Sequence, residues 1–404
     1  MALTAPRLFN QARTDTLAAQ QGYSVVLAVG ATNVYYLSGH YSDWLFDVPR
    51  VSAALYRPTS GTLPVLIAHD VEVTALAERF PQVSDVHLYQ LEVCGVAQAH
   101  YSVSADQPLD ALERRALSLH ERHAVSASGL LGCLREHLHG HPRGKTAVCD
   151  DQEVAAWLNR NAPGITVVFD PHFFTRVRLV KTPAELSIMQ AAASRNHKAL
   201  TETIDLIADG IPWDAIETGY RVASTRHGAV PFSLYVGAGR RSAGLHLSKD
   251  YPVRTGDQIC FDAMLTYERY FADMQRTFVL GAPDTRLEDQ YGAIRHAADA
   301  AASALGPGVS TADIRTVAVD TAHKQGCGSF RHAFVHGLGL THIELPFDTA
   351  FGFQDFTLEA GMVVNLDMEF CEFGFGGAYL EDSYLVTDNG AERLTRMSRD
   401  LVAL

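Results

Sequence analysis

The chain has 404 residues, 47% apolar and 20% charged, with a formal net charge of −13. That length exceeds what one ordinary core organises, so two domains are expected. The acidic balance disfavours a nucleic-acid partner, because phosphate binding needs a basic stripe, and no apolar run of about eighteen residues is present to span a bilayer.

At the N-terminus, MALTAPRLFNQARTDTLAAQ mixes polar and apolar residues and lacks the continuous apolar stretch of a signal peptide, so a cytoplasmic location is expected. Cys94, Cys133, Cys149, Cys260, Cys327 and Cys371 are scattered without a close pair. This is the pattern of reduced, packed thiols, not of a disulfide framework or a thiolate zinc site. Residues 22–70 alternate apolar runs (YSVVLAV, NVYYLSG, SAALYR, PVLIA) with turn residues, which reads as strands with helices between them. Amphipathic stretches near 106–122 and 127–140 precede TAVCDD, where another strand ends at a turn. After ITVVFDPHFFTRVRLVK, Thr182-Pro183-Ala184-Glu185 forms a capping box with proline at the first helical position. Leu186, Met189 and Ala193 continue at helical spacing, predicting a helix to about residue 208. The chain thus divides into an α/β domain over 1–174 and a second domain over 175–404.

The second domain contains an internal repeat. Gly210 precedes Ile216 by six residues, as Gly308 precedes Ile314, and twelve residues beyond each isoleucine stands another glycine, Gly228 or Gly326. Both blocks read as helices closed by glycine. Gly256 opens GDQICFD and Gly361 opens GMVVNLD, so Asp262 and Asp367 each follow their glycine by six residues. Asp273 comes eleven residues after Asp262 and Glu381 fourteen after Asp367, in segments that read as returning hairpin strands. Each half therefore supplies a helix and a hairpin with one acid per strand, and pseudo-twofold packing would gather four carboxylates. Ordinary surface acids are the alternative, but Asp262 and Asp367 sit inside apolar runs, where an unpaired charge is costly. Grouped carboxylates repel unless a cation lies between them, and a divalent metal is the simplest one.

Histidine is the usual companion of carboxylates at such sites, and His336 lies in the glycine-rich segment FVHGLGLTHIELP. Taken in order, Asp262, Asp273, His336, Asp367 and Glu381 resemble the ligands of the pita-bread metallopeptidases, the family of methionine aminopeptidase, aminopeptidase P and prolidase, with creatinase among its non-peptidase relatives. The likeness is strong over about residues 175–395, including Gly-Met-Val-Val before Asp367 and Leu-Val-Thr-Asp-Asn-Gly after Glu381, and extends weakly to NVYYLSG. It implies an α+β pita-bread C-terminal domain with a pseudo-twofold repeat, preceded by a smaller α/β creatinase-like domain that serves homodimerisation and can cover a partner's active site. It further implies two divalent ions (manganese, iron, cobalt or zinc) on the five residues named, with Asp367 also acting as base. His246, in RRSAGLHLS, would donate a proton or stabilise an oxyanion. His342, Glu344, Tyr379 and Trp44, the last from the aromatic cluster with Tyr35, Tyr36 and Tyr41, would contact a short-peptide or small-molecule substrate. The expected activity is hydrolysis of a peptide-like C–N bond, of the Xaa-Pro dipeptidase or aminopeptidase P type.

Three departures from the family pattern fall near the chemistry. The acid after Gly-Met-Val-Val is usually glutamate followed by proline, whereas this chain has Asp367-Met368-Glu369, one methylene shorter, with Glu369 on the same strand face. Ile343 takes the position of a family histidine, and His342 is displaced by one residue. Tyr379 stands where prolidases and aminopeptidase P often have arginine, whose loss alters how a substrate carboxylate is held. These differences keep two other readings open. One is a creatinase-like or other small-molecule hydrolase, or a lyase acting on a small zwitterion; the other is a catalytically inactive interaction module.

Overall fold

The apolar runs of the first 170 residues build a mixed sheet, and the repeat beyond them builds two matching hairpin sheets. The computed structural model describes residues 7–404 apart from 80, 81, 94, 95, 98–102, 105, 123–128, 140–143, 236, 245–249 and 348–351. It separates into two compact units, Met1–Val177 and Arg178–Leu404.

The first unit contains strands β1 (Tyr23–Ala28), β2 (Ala53–Tyr56), β3 (Val65–His69), β4 (Asp85–Tyr89), a short ribbon of β5 (Glu92–Val93) and β6 (Val96–Ala97), then β7 (Lys145–Cys149) and β8 (Ile165–Phe169). The main sheet runs β4-β3-β2-β1-β7-β8, antiparallel from β1 to β3 and parallel elsewhere. Its helices are α1 (Gln11–Gln21), α2 (Ala31–Ser38), α3 (Asp43–Asp47), α4 (Val73–Glu78), α5 (Ala111–Arg122), α6 (Gly129–His139) and α7 (Gln152–Asn161), and α8 (Phe173–Arg178) ends on the first residue of the second unit. NVYYLSG corrects the strand expectation, since it lies in α2. The Asp150 carboxylate accepts hydrogen bonds from the backbone N–H groups of Val29 and Gly30 and from the Asn33 side chain, which turns the chain at that point. Val34 and Leu37 are then buried one helical turn apart, and tertiary packing overrides the strand preference of the paired tyrosines. No described helix is long and apolar enough to cross a membrane. The described cysteines form no disulfide; Cys94 lies outside the described residues.

The second unit opens with α9 (Pro183–Ile204), whose predicted capping box is present: the Thr182 hydroxyl accepts from the Glu185 N–H, and the Glu185 carboxylate accepts from the Thr182 N–H. After it come α10 (Trp213–Arg226), β9 (Val230–Tyr235), β10 (Gln258–Tyr267), β11 (Tyr270–Val279), α11 (Thr285–Ala304), α12 (Thr311–Lys324), β12 (His332–Gly337), β13 (Val363–Glu372), β14 (Gly376–Thr387), β15 (Gly390–Arg393) and β16 (Val402–Ala403). The strands form two four-stranded sheets, β16-β11-β10-β9 and β12-β13-β14-β15.

The repeat read from glycine spacing is present bond for bond. Gly210 and Gly308 have φ of 85° and 84°, and their N–H groups donate to Val253 and Leu358, which lie at matching positions before Gly256 and Gly361. Those two glycines have φ of 93° and 88°, and their N–H groups donate to Leu280 and Val386 as each hairpin returns. Glycine recurs here because this backbone region is costly for any residue with a Cβ. Each half has its own core. Trp213, Ile216 and Tyr220 of α10 pack on Ile259, Phe261 and Met274, while Ile314 and Ala318 of α12 join Ile294, Val364 and Leu380. The halves join where the Thr277 hydroxyl of β11 bridges the Tyr379 N–H and carbonyl of β14. On the opposite face of the sheets from the acids, the buried Arg276 guanidinium donates to the Asp382 carboxylate at 2.6 Å and the Glu381 carbonyl at 2.7 Å. These contacts fix the register of the two acid-bearing hairpins against each other.

Candidate metal centre

Register decides which side chains meet. In the first hairpin Asp262 lies opposite Gln275 and Asp273 opposite Met264, so both acids project from one face. In the second, Asp367 lies directly opposite Glu381, and His336 of β12 lies opposite Asn365, again on one face. All five predicted ligand residues are buried. Ligand-type atoms of His336, Asp367 and Glu381 all lie within 4.8 Å of one another, as do those of Asp262, Asp273 and Glu381, so Glu381 joins the two hairpins' acids into one cluster.

The polar accounting is incomplete without a cation. Asp262 Oδ1, Asp273 Oδ1, Asp367 Oδ1 and Glu381 Oε2 are buried and accept no hydrogen bond. An unsatisfied buried acceptor costs about 1–3 kcal/mol, more when charged, so four together mark a place built for positive charge. His336 fits the same purpose. Its Nδ1 lies 3.0 Å from the Gly337 carbonyl, which can only accept, so Nδ1 carries the proton. Nε2 therefore faces Asp367 at 3.5 Å and Glu381 at 3.7 Å. An imidazole oriented by a carbonyl at its other nitrogen is the usual arrangement of a metal-ligating histidine. The Asn365 amide donates to Glu381 Oε1 at 2.5 Å, while Oε2 is left without a hydrogen-bond partner. Carboxylates with imidazole suit manganese, iron, cobalt and zinc, and the residues present fit such ions.

The electrostatics of the protein alone point the same way. Burial, reinforced by the neighbouring carboxylates, pushes the carboxyls of Asp262 and Glu381 well above their ordinary range. Burial acts upward on Asp367 too, but the adjacent His336 charge outweighs it and holds that carboxyl below its usual value. Burial opposes the charge on His336, yet Asp367 more than compensates and raises it to about 9. The metal-free cluster thus stores protons that a divalent cation would displace.

Other expected site residues are distributed differently. His342 reaches the centre, with Nε2 2.6 Å from Asp273 Oδ2. Glu344 corrects the substrate-contact expectation: fully buried, it binds Arg178 Nε at 2.8 Å and Lys181 Nζ at 2.7 Å, so neither oxygen is left for a substrate. These cations outweigh the effect of burial and hold its carboxyl down at about 2. Tyr379 is also fully buried; its hydroxyl donates to the Ser242 carbonyl and contacts the Cys371 thiol, so it faces the protein interior. Ile343 is 37% exposed. Glu369 binds Gln275 at 2.8 Å and joins none of the clustered trios among the described residues, leaving Asp367 as the strand's contribution. Trp44 belongs to the first unit, 43% exposed and edge-on to His69. His246 lies outside the described residues. Sequence reasoning missed Asn365 and the Arg276–Asp382 pair, although a buried arginine within the run ADMQRTFV was a visible signal.

The sequence matches metallopeptidase family M24 over residues 187–388, half of the chain. It is 29% identical over 230 residues to an Xaa-Pro dipeptidase of Pyrococcus furiosus, covering 56% of this chain and 66% of that relative. To an Xaa-Pro dipeptidase of Lactobacillus helveticus it is 30% identical over 261 residues, covering 62% and 70%. The matched stretch thus spans about two thirds of the length of these relatives. The fold is similar to that of an Xaa-Pro dipeptidase from Bacillus anthracis, with a TM-score of 0.74 at 18% identity over 97% of this chain and 98% of that one. It is also similar to that of an X-Pro aminopeptidase from Thermotoga maritima, with a TM-score of 0.73 at 20% identity over 98% and 100%.

Proposed function

This chain belongs to metallopeptidase family M24, and from that premise we propose that it is a metal-dependent hydrolase of peptide-like C–N bonds, with Xaa-Pro dipeptides as its substrate class. One observation carries the reading: four buried carboxylate oxygens without hydrogen-bond partners, drawn from matching strands of two hairpins around one imidazole. Asp262, Asp273, His336, Asp367 and Glu381 would hold two divalent ions of manganese, iron, cobalt or zinc. Such ions, when bound, supply a polarised carbonyl and an activated water near neutral pH. Asp367 would take a proton from the attacking water and return it to the leaving nitrogen as the C–N bond breaks, while His246 would stabilise the developing oxyanion or itself supply the proton of the leaving nitrogen. Asn365 keeps Glu381 in its ligand orientation through the amide hydrogen bond. The homodimer, the covering role of the N-terminal unit and the contact of Trp44 with substrate belong to the same proposal.

Metal analysis and a substrate screen test it together. Protein prepared without chelators carries near-stoichiometric divalent metal and cleaves Xaa-Pro dipeptides when manganese or cobalt is supplied. Protein that retains no metal and cleaves none of the dipeptides under those conditions refutes the reading. A second reading, hydrolysis of a compact amide or amidine, is favoured by Tyr379, whose buried hydroxyl replaces a cation that would hold a substrate carboxylate. Turnover of small amides in the same screen, with dipeptides untouched, selects it.

A further inference from the structure

We infer that His342 is an additional ligand of this metal centre, giving the site two imidazoles where the family pattern implies one. This rests on the metal-dependent reading above. The ligand-type atoms of Asp273, His336 and His342 all lie within 4.8 Å of one another. That trio shares Asp273 with the Asp262–Asp273–Glu381 group and His336 with the His336–Asp367–Glu381 group, so His342 adds a donor to a cluster already assembled. Its Nε2 is 2.6 Å from Asp273 Oδ2, while Asp273 Oδ1 has no partner. The two imidazoles meet edge to face, with centroids 5.6 Å apart and planes at 81°.

The backbone that delivers His342 is held on both sides. Before it, the Gly339 carbonyl accepts from the Phe271 N–H at 2.8 Å. After it, the Glu344 N–H donates to the Gly337 carbonyl at 2.9 Å, and the Glu344 carboxylate is gripped by Arg178 and Lys181. A tethered loop loses little conformational entropy when its histidine binds an ion, so the ligand geometry is largely prepaid by the fold. Displacement by one residue from the family's histidine position therefore puts an imidazole on Asp273 and leaves Ile343 partly exposed. A second nitrogen donor shifts the preference of an oxygen-rich site away from manganese toward iron, cobalt and zinc.

The test is a count of metal-bound imidazoles. Protein labelled with [15N]histidine is loaded with zinc, and two-bond correlations from the carbon-bound ring protons report each ring nitrogen. The expected result is two imidazoles whose Nε2 moves into the metal-coordinated range on zinc addition, one lost in His336→Ala and the other in His342→Ala. The His342→Gln variant repeats the assignment should alanine loosen the loop, and the wild-type count needs no variant. A zinc-loaded protein in which only the His336 signal moves overturns the inference and leaves the metal centre standing. A protein that retains no zinc and shows no shifted imidazole overturns both.

Discussion

Position 367 concentrates the chemistry of a single methylene. Asp367 lies opposite Glu381 and 3.5 Å from His336 Nε2, inside the cluster despite being shorter than the glutamate usual in the family. The glutamate side chain has the same charge and a longer reach, so Asp367→Glu keeps metal within about tenfold of the wild-type affinity, because the ligand charge is unchanged. Asp273→Asn differs in kind. It preserves volume and removes the charge of a carboxylate that belongs to two of the clustered trios. Loss of an outer partner alone costs 10–100-fold in affinity, and loss of this ligand is expected to cost on the order of 100-fold or more. Calorimetric titration with manganese measures both variants, and an Asp273→Asn protein with wild-type affinity contradicts the ligand assignment.

Among the elements, the loop between β12 and β13 depends on charges buried behind it. Glu344 is fully buried between Arg178 and Lys181, two residues beyond His342. Breaking a buried ion pair by removing one partner costs about 3–5 kcal/mol, so Glu344→Gln is expected to lose stability of that order in denaturant unfolding and to weaken metal retention as the loop loosens. A variant as stable as wild type shows that the clamp is not needed. The hairpins and their acids were legible in the sequence because two physical demands leave marks: positive φ requires glycine at Gly256 and Gly361, and an acid inside an apolar run needs a reason. Glu344 was legible as a family position but not in its role, since its partners lie 163 and 166 residues away and no local pattern announces them. The same holds for α2, whose turn is set by Asp150 from 120 residues downstream. His342 was visible as a displaced histidine, but its contact with Asp273 depends on how that loop is held.

For the whole molecule, the raised groups of the centre link stability to pH. Asp262 and Glu381 hold protons in the folded, metal-free state at pH values where the unfolded chain has released them. Stability therefore falls as pH rises above the ordinary carboxylate range. His336, raised to about 9, adds stability that is complete below its ordinary value of 6.5 and is lost as pH climbs through about 9. Glu344 acts at the other end: its contribution is present above 4.5 and disappears as pH falls toward about 2. Melting temperatures in chelator should decline from weakly acidic to alkaline pH, and divalent metal should suppress that decline by replacing the protons. Identical profiles with and without metal would contradict the linkage.

The proposed hydrolysis depends on the two hairpins converging on metal. Anomalous scattering from crystals grown with manganese and without chelator tests this most directly. The prediction is anomalous density between the two hairpins, within ligand-bond distance of Asp262, Asp273, His336, Asp367 and Glu381. A well-ordered centre with no anomalous density among those five side chains would contradict it.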